Sequence, residues 1–137
     1  MIPIPREDII ILMQGGYIYL RMGKFKEAQE VFEGASVLAP ESDVPLVALG
    51  SVSFAQHKFD RAIRCYQKAL ALRPDSAFAR ASLGEALFFK GKKEEAFREL
   101  EKASLLDSEG GSGGDFARVL LKEAQKGFAP PGQIGHH

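Results

Sequence analysis

Cys65 and His57 are the residues of this chain that could supply a nucleophile and a base. A thiol attacks as its thiolate, and it needs a base within hydrogen-bond reach that a third group orients. His57 falls at a turn between two helical stretches and Cys65 near the middle of the second, with no orienting group in evidence, so structural or surface roles are expected for both. His136 and His137 could begin a metal site, but two histidines on a C-terminal tail lack the rest of a ligand set, and no metal is expected. Gly110 to Asp115 has the glycine content of a phosphate-cradling loop. Such a loop requires lysine and then serine or threonine entering a helix after a strand; here Asp115 and Phe116 follow, and no strand precedes. No cofactor is expected either, and the residues point away from an enzyme.

Composition narrows the remaining classes. The 137 residues suit a single domain, 45% are hydrophobic and 26% charged, and 18 basic residues balance 18 acidic ones. A neutral chain lacks the electrostatic footprint that phosphate backbones select, so no nucleic-acid partner is expected. The single cysteine cannot form an internal disulfide, which suits a reducing compartment. No stretch reaches the ~18 consecutive apolar residues of a spanning helix, and the N-terminal MIPIPREDIIILM lacks the order of a signal peptide. A cytoplasmic protein without membrane insertion is the expectation.

The elements that would position any site are set by a repeat. Gly16, Gly50 and Gly84 are 34 residues apart, as are Ala28, Ala62 and Ala96, then Ala35, Ala69 and Ala103. The same step links Phe32, Tyr66 and Leu100, and carries Pro40 onto Pro74. Spacings of three and four within each unit predict two amphipathic helices, with turns at Gly23, His57 and Gly91. A period of 34 with two helices per unit marks a tetratricopeptide array. The fold expected is all-α: three tandem helix–turn–helix repeats forming a right-handed superhelical solenoid with a C-terminal capping helix.

The expected boundaries are a lead-in over residues 1–8, repeats at 9–42, 43–76 and 77–108, a glycine-serine linker at 109–114, a capping helix at 115–127 and a disordered tail at 128–137. Ser42 or Asp43 is expected to cap the second repeat, with Pro45 in its first turn, and Asp75 or Ser76 the third. Asp115 is expected to cap the final helix, DFARVLLKEAQK, whose polar outer face suits the end of a solenoid. A glycine inside a helix costs ~1 kcal/mol against alanine, so its recurrence at 16, 50 and 84 implies a close approach that outweighs the cost.

Over Ile9 to Ser108 the chain resembles the tetratricopeptide repeat family, most fully in repeat two with Leu46, Leu49-Gly50, Ala62, Tyr66, Ala69 and Pro74. Repeat two has Ser53 where the family usually has tyrosine, repeat one has Gly15 where it has leucine, and repeat three has Ser108 where it has proline. The resemblance implies a concave groove lined by the first helix of each repeat. It would comprise Ile10, Met13, Tyr17 and Leu20, then Val44, Val47, Ser51 and Phe54, then Phe78, Ala81, Glu85 and Phe88. Met13, Tyr17, Phe54 and Phe88 have spacings that suit either core or groove. The groove is expected, because the Gly, Ala and Phe32/Tyr66 positions already supply a core. An apolar groove suits an amphipathic helix or an extended hydrophobic segment of a protein partner. It lacks the lysine and asparagine set by which some relatives clamp a C-terminal carboxylate. Size, repeat number and groove character look like the small tetratricopeptide chaperones of type III secretion, which sequester a hydrophobic segment until export. A general scaffold within a larger assembly is the alternative, and a second copy of the chain could also pair through the groove. The lysines and arginines near the turns, Lys24, Lys58 and Lys92 among them, are expected on a solvated edge.

Overall fold

Each 34-residue unit folds as a helical hairpin because its small residues let two helices close on one large side chain. The computed structural model describes residues 6–106 and 112–130, and these hold seven helices. They are α1 (Arg6–Arg21), α2 (Phe25–Leu38), α3 (Val44–Ala55), α4 (Phe59–Leu72), α5 (Ala77–Lys90), α6 (Lys93–Leu106) and α7 (Ser112–Gln125). The chain is all-α among the described residues, as the repeat predicts.

The repeat positions carry the packing. Phe32, Tyr66 and Leu100 are 0%, 1% and 0% exposed, and the six alanines of the two alanine rows are fully buried. A Cβ placed on Gly16 would lie 2.4 Å from the Phe32 ring, one on Gly50 2.3 Å from the Tyr66 ring, and one on Gly84 2.7 Å from Leu100. The recurrent glycine of the first helix is therefore the floor on which the large residue of the second helix rests. The contact lies inside each hairpin. The left-handed turn between the helices recurs too, at Gly23 (φ 74°), His57 (φ 60°) and Gly91 (φ 96°). His57 thus occupies a position that the other two repeats give to glycine, and its ring meets the edge of Phe59 at 5.8 Å.

Two compact units are formed, Met1–Leu72 and Arg73–His137. In the first, the α1–α2 and α3–α4 hairpins join through α2 and α3. Met13, Ala28, Phe32, Ala35, Ala48 and Val52 form a core there, with Leu12, Tyr17, Leu20 and Leu49 against it. The Tyr17 ring stands edge-on to Phe32 at 5.0 Å. Ser42 Oγ accepts from the Val44 N–H at 3.2 Å, and Pro45 lies in the first turn of α3. Asp43 makes no capping bond through its side chain.

In the second unit, α7 packs on both members of the α5–α6 hairpin. Ser76 caps α5, its Oγ accepting from the Ala79 N–H at 3.2 Å. Arg80 ties α5 to α6 through Glu99 at 2.8 Å and donates to the Pro74 carbonyl at 2.9 Å. Ala81, Leu100, Ala103 and Ala117 are the core, flanked by Phe97, Leu120 and Leu121.

The C-terminal part departs from expectation in two places. Helix α7 begins at Ser112, so Gly113 and Gly114 are its first turn and not a linker. The reason is steric: a Cβ on Gly113 would sit 2.6 Å from the Phe78 nitrogen and 2.7 Å from the Ala77 carbonyl carbon. Gly113 allows the start of α7 to lie against the backbone of α5. Asp115 consequently falls inside the helix and pairs with Arg118, which also donates to the Ser104 carbonyl at 3.1 Å. The second departure is at Phe128 to Pro130, expected in the disordered tail. Phe128 stacks on Phe88, and Pro130 is buried. Residues 6–8 of the expected lead-in belong to α1. Its residues 1–5, residues 109–111 of the expected linker and residues 131–137 of the expected tail, with His136 and His137, lie outside the described residues.

Candidate partner-binding faces

The twelve groove candidates form four rows of repeat-equivalent positions, and the rows differ in burial. Ile10, Val44 and Phe78 are 46%, 50% and 49% exposed. Three large apolar residues at one repeat position thus stand about half in solvent. Met13, Val47 and Ala81, one turn further on, are 7%, 2% and 1% exposed. These three were expected in the groove but pack inward. Met13 belongs to the first unit's core and Ala81 to the second's. A helix presents its i and i+3 positions on neighbouring faces, so one more helix packed alongside is enough to cover the second and spare the first.

Tyr17, Ser51 and Glu85 form the third row, all half-buried. Burial raises the Tyr17 phenol above its ordinary value. Ser51 Oγ donates back to the Val47 carbonyl at 3.1 Å. In the last row Leu20 and Phe54 are half-buried, whereas Phe88 is only 3% exposed. Phe54 stands edge-on to Phe59 at 5.4 Å. Phe88 meets Phe97 at 6.2 Å and Phe128 at 5.9 Å, with interplanar angles of 18° and 12°. Phe97 and Phe128 belong to this site and were not singled out as such from the sequence. Gly127-Phe128 does carry a signal, because an apolar residue just after a C-terminal glycine commonly folds back on its helix.

Glu85 is the charged member of the rows. Desolvation pushes its carboxyl up from 4.5 to about 7. A raised carboxyl pKa means that the folded state holds the proton more tightly than the unfolded chain. The stability contributed by that proton is fully present below about pH 4.5 and is lost as pH rises through about 7. The unfolding free energy is therefore expected to fall between those pH values by on the order of 2–3 kcal/mol. Glu85→Gln should flatten this dependence and be the more stable chain at pH 8. Urea titrations of both chains at pH 5 and pH 8 check it.

The reactive candidates fall elsewhere. Cys65 is half-buried on α4, and burial raises its thiol against the opposing pull of Lys68, Arg61 and Arg64. A thiol held protonated is a poor nucleophile. No group of three or more His, Cys, Asp or Glu among the described residues could hold a metal ion. No helix among them is long and apolar enough to cross a membrane.

Residues 11–41 match the family described as tetratricopeptide repeat and residues 50–91 the one described as TPR repeat, together more than half of the chain. The chain belongs to the tetratricopeptide repeat family. A search of curated proteins returned no match. Among solved structures, this tetratricopeptide protein is similar to the Yersinia enterocolitica type III secretion translocator chaperone SycD, with TM-score 0.79 and 20% identity over 89% of this chain and 91% of that one. It is similar to PcrH in complex with the chaperone binding region of PopB, at TM-score 0.75 and 15% identity over 89% and 98% of the two chains. The first TPR of Spaghetti (RPAP3), bound to the HSP90 peptide SRMEEVD, gives TM-score 0.70 and 23% identity over 91% and 99%. At these identities the likeness establishes the fold.

Proposed function

We propose that this tetratricopeptide protein captures an apolar helical or extended segment of a partner on its first-helix faces, as a type III secretion chaperone acting in the cytoplasm. The role is binding and not catalysis. The observation that carries the reading is the row Ile10, Val44 and Phe78, a large apolar side chain left about half exposed at the same position of every repeat. A lone exposed apolar residue is ordinary on a protein surface, but recurrence at one register position of the first helices favours faces kept apolar for contact. Tyr17, Leu20, Ser51 and Phe54 flank that row in the first unit, and Glu85 in the second. Sequestration works by covering the partner's apolar face, at ~25 cal/mol per Å² removed from water, which competes with the partner's self-association. The narrower role, export chaperone, draws on the fold shared with SycD and PcrH, of which PcrH is found with the chaperone binding region of PopB.

Val44→Glu and Phe78→Glu test it, because half-exposed positions tolerate a charge without loss of the core. Helicity by circular dichroism is expected to match the parent chain. Pull-down from the source cell is expected to retain one small, self-associating or membrane-active protein on the parent chain and lose it on both variants. A partner indifferent to both changes, or one lost instead on substitution of Lys24, Lys58 and Lys92, would sink the chaperone reading in favour of a scaffold.

A further inference from the structure

Phe88 differs from its repeat equivalents for a visible reason. Leu20 and Phe54 are half-buried, while Phe88 is 3% exposed beneath a ring that comes from the end of the chain. The Phe128 ring is 12° from parallel to it with centroids 5.9 Å apart, and the Phe97 ring is 18° from parallel to it at 6.2 Å. Both separations fall in the range of attractive offset stacking. The turn that delivers Phe128 is well made. Gly127 is left-handed (φ 103°), its N–H donates to the Ala124 carbonyl at 3.1 Å, and the Phe128 N–H donates to the Glu123 carbonyl at 3.0 Å. This pair of bonds closes the end of α7 and aims the next side chain back at the bundle. Ala129 is half-buried and Pro130 buried, so three consecutive residues are seated. Phe128 itself keeps 45% of its surface in solvent, so it sits on the seat without being enclosed by it.

We propose that Phe128 to Pro130 is a built-in occupant of a seat for an aromatic side chain, which Phe88 and Phe97 form for an incoming extended segment. The strap then competes in cis with the partner. The partner chemistry that follows is an aromatic residue followed by small or proline residues in extended backbone, the kind of segment the chain itself places there. The inference rests on the reading of the first-helix faces as partner-binding and names one subsite of it. Nothing enclosed holds the ring, so an aromatic residue of the partner can replace it by simple exchange.

The test is a titration of the full-length chain and its Phe128→Ala variant with a synthetic peptide, QKGFAP, that repeats residues 125–130. Binding is followed by the NMR shifts of the phenylalanine rings. A strap closed about nine-tenths of the time lowers apparent affinity roughly tenfold. F128A is therefore expected to bind the peptide roughly tenfold more tightly than the parent chain, and Phe128→Tyr to restore the weaker binding. A peptide with alanine in place of phenylalanine should bind neither. No binding by an F128A chain of unchanged helicity would overturn the seat, and equal affinity of parent and F128A would overturn the competition. In pull-downs F128A should retain more partner than the parent; equal or lower capture would overturn the competition. The titration needs no cellular partner, so a failure of the Val44→Glu and Phe78→Glu experiment would sink the function and leave the peptide result standing.

Discussion

Gly50→Ala is expected to destabilise the first unit by about 3 kcal/mol, and Gly50→Leu to leave it largely unfolded. By local propensity alone the alanine change should help, since alanine in a helix is favoured over glycine by ~1 kcal/mol. Packing decides the opposite sign. The new Cβ would stand 2.3 Å from Tyr66 Cε1, 2.7 Å from Cδ1 and 2.9 Å from Cζ. Tyr66 is 1% exposed, so its ring cannot move aside without disturbing the core around it. Gly15 and Gly34 provide the control, because a Cβ on either meets nothing within 4 Å. Gly15→Ala and Gly34→Ala are expected to stabilise by ~1 kcal/mol each. Urea midpoints of the three alanine variants read the contrast directly. Pairing Gly50→Ala with Tyr66→Ala should show a coupling of about 1–3 kcal/mol, because the second change removes the ring that the first collides with. Three midpoints shifted in the same direction would rule this account out.

Gly113→Val is expected to release α7 from the α5–α6 hairpin. The Cβ here would meet backbone, the Phe78 nitrogen at 2.6 Å and its Cα at 2.9 Å, and backbone inside a helix cannot rotate aside. An isolated helix of 14 residues is marginal in water, so an undocked α7 should fray. Hydrogen exchange of the α7 amides is expected to approach the unprotected rate while those of α5 and α6 stay protected. Phe128 should leave Phe88 with it, and the variant should bind the QKGFAP peptide as F128A does. Unchanged protection in α7 would mean that the close approach is not needed.

What the sequence discloses depends on whether a signal is repeated or solitary. A close approach at the recurrent glycine was legible because it repeats at 16, 50 and 84, whereas its partner, the large residue at 32, 66 or 100 of the same hairpin, emerges only from the structure. The turn position of His57 was legible as a turn, though its left-handed backbone emerges only beside Gly23 and Gly91. The division between Ile10, Val44 and Phe78 on one side and Met13, Val47 and Ala81 on the other was not. Both sets are apolar at helical spacing, and the difference comes from which neighbouring helix covers each face. Gly113 and Gly114 misled for a related reason. Glycine serves both flexible linkers and tight helix contacts, and only the presence of α5 beneath them tells which. Phe128 was a solitary aromatic in a proline-bearing tail, and its seat exists only once α7 brings it to Phe88.

The hairpins also set a timetable. Each large core residue follows its glycine by 16 residues, so this close contact of every repeat closes a short stretch of chain. Loop-closure entropy rises only with the logarithm of length, and folding rates climb as contacts become local. Hairpin closure is therefore expected early, ahead of the joining of α2 to α3 and of the docking of α7 on α5 and α6. The strap at Phe128 is expected to seat last of all, because it needs α7 already docked beside Phe88.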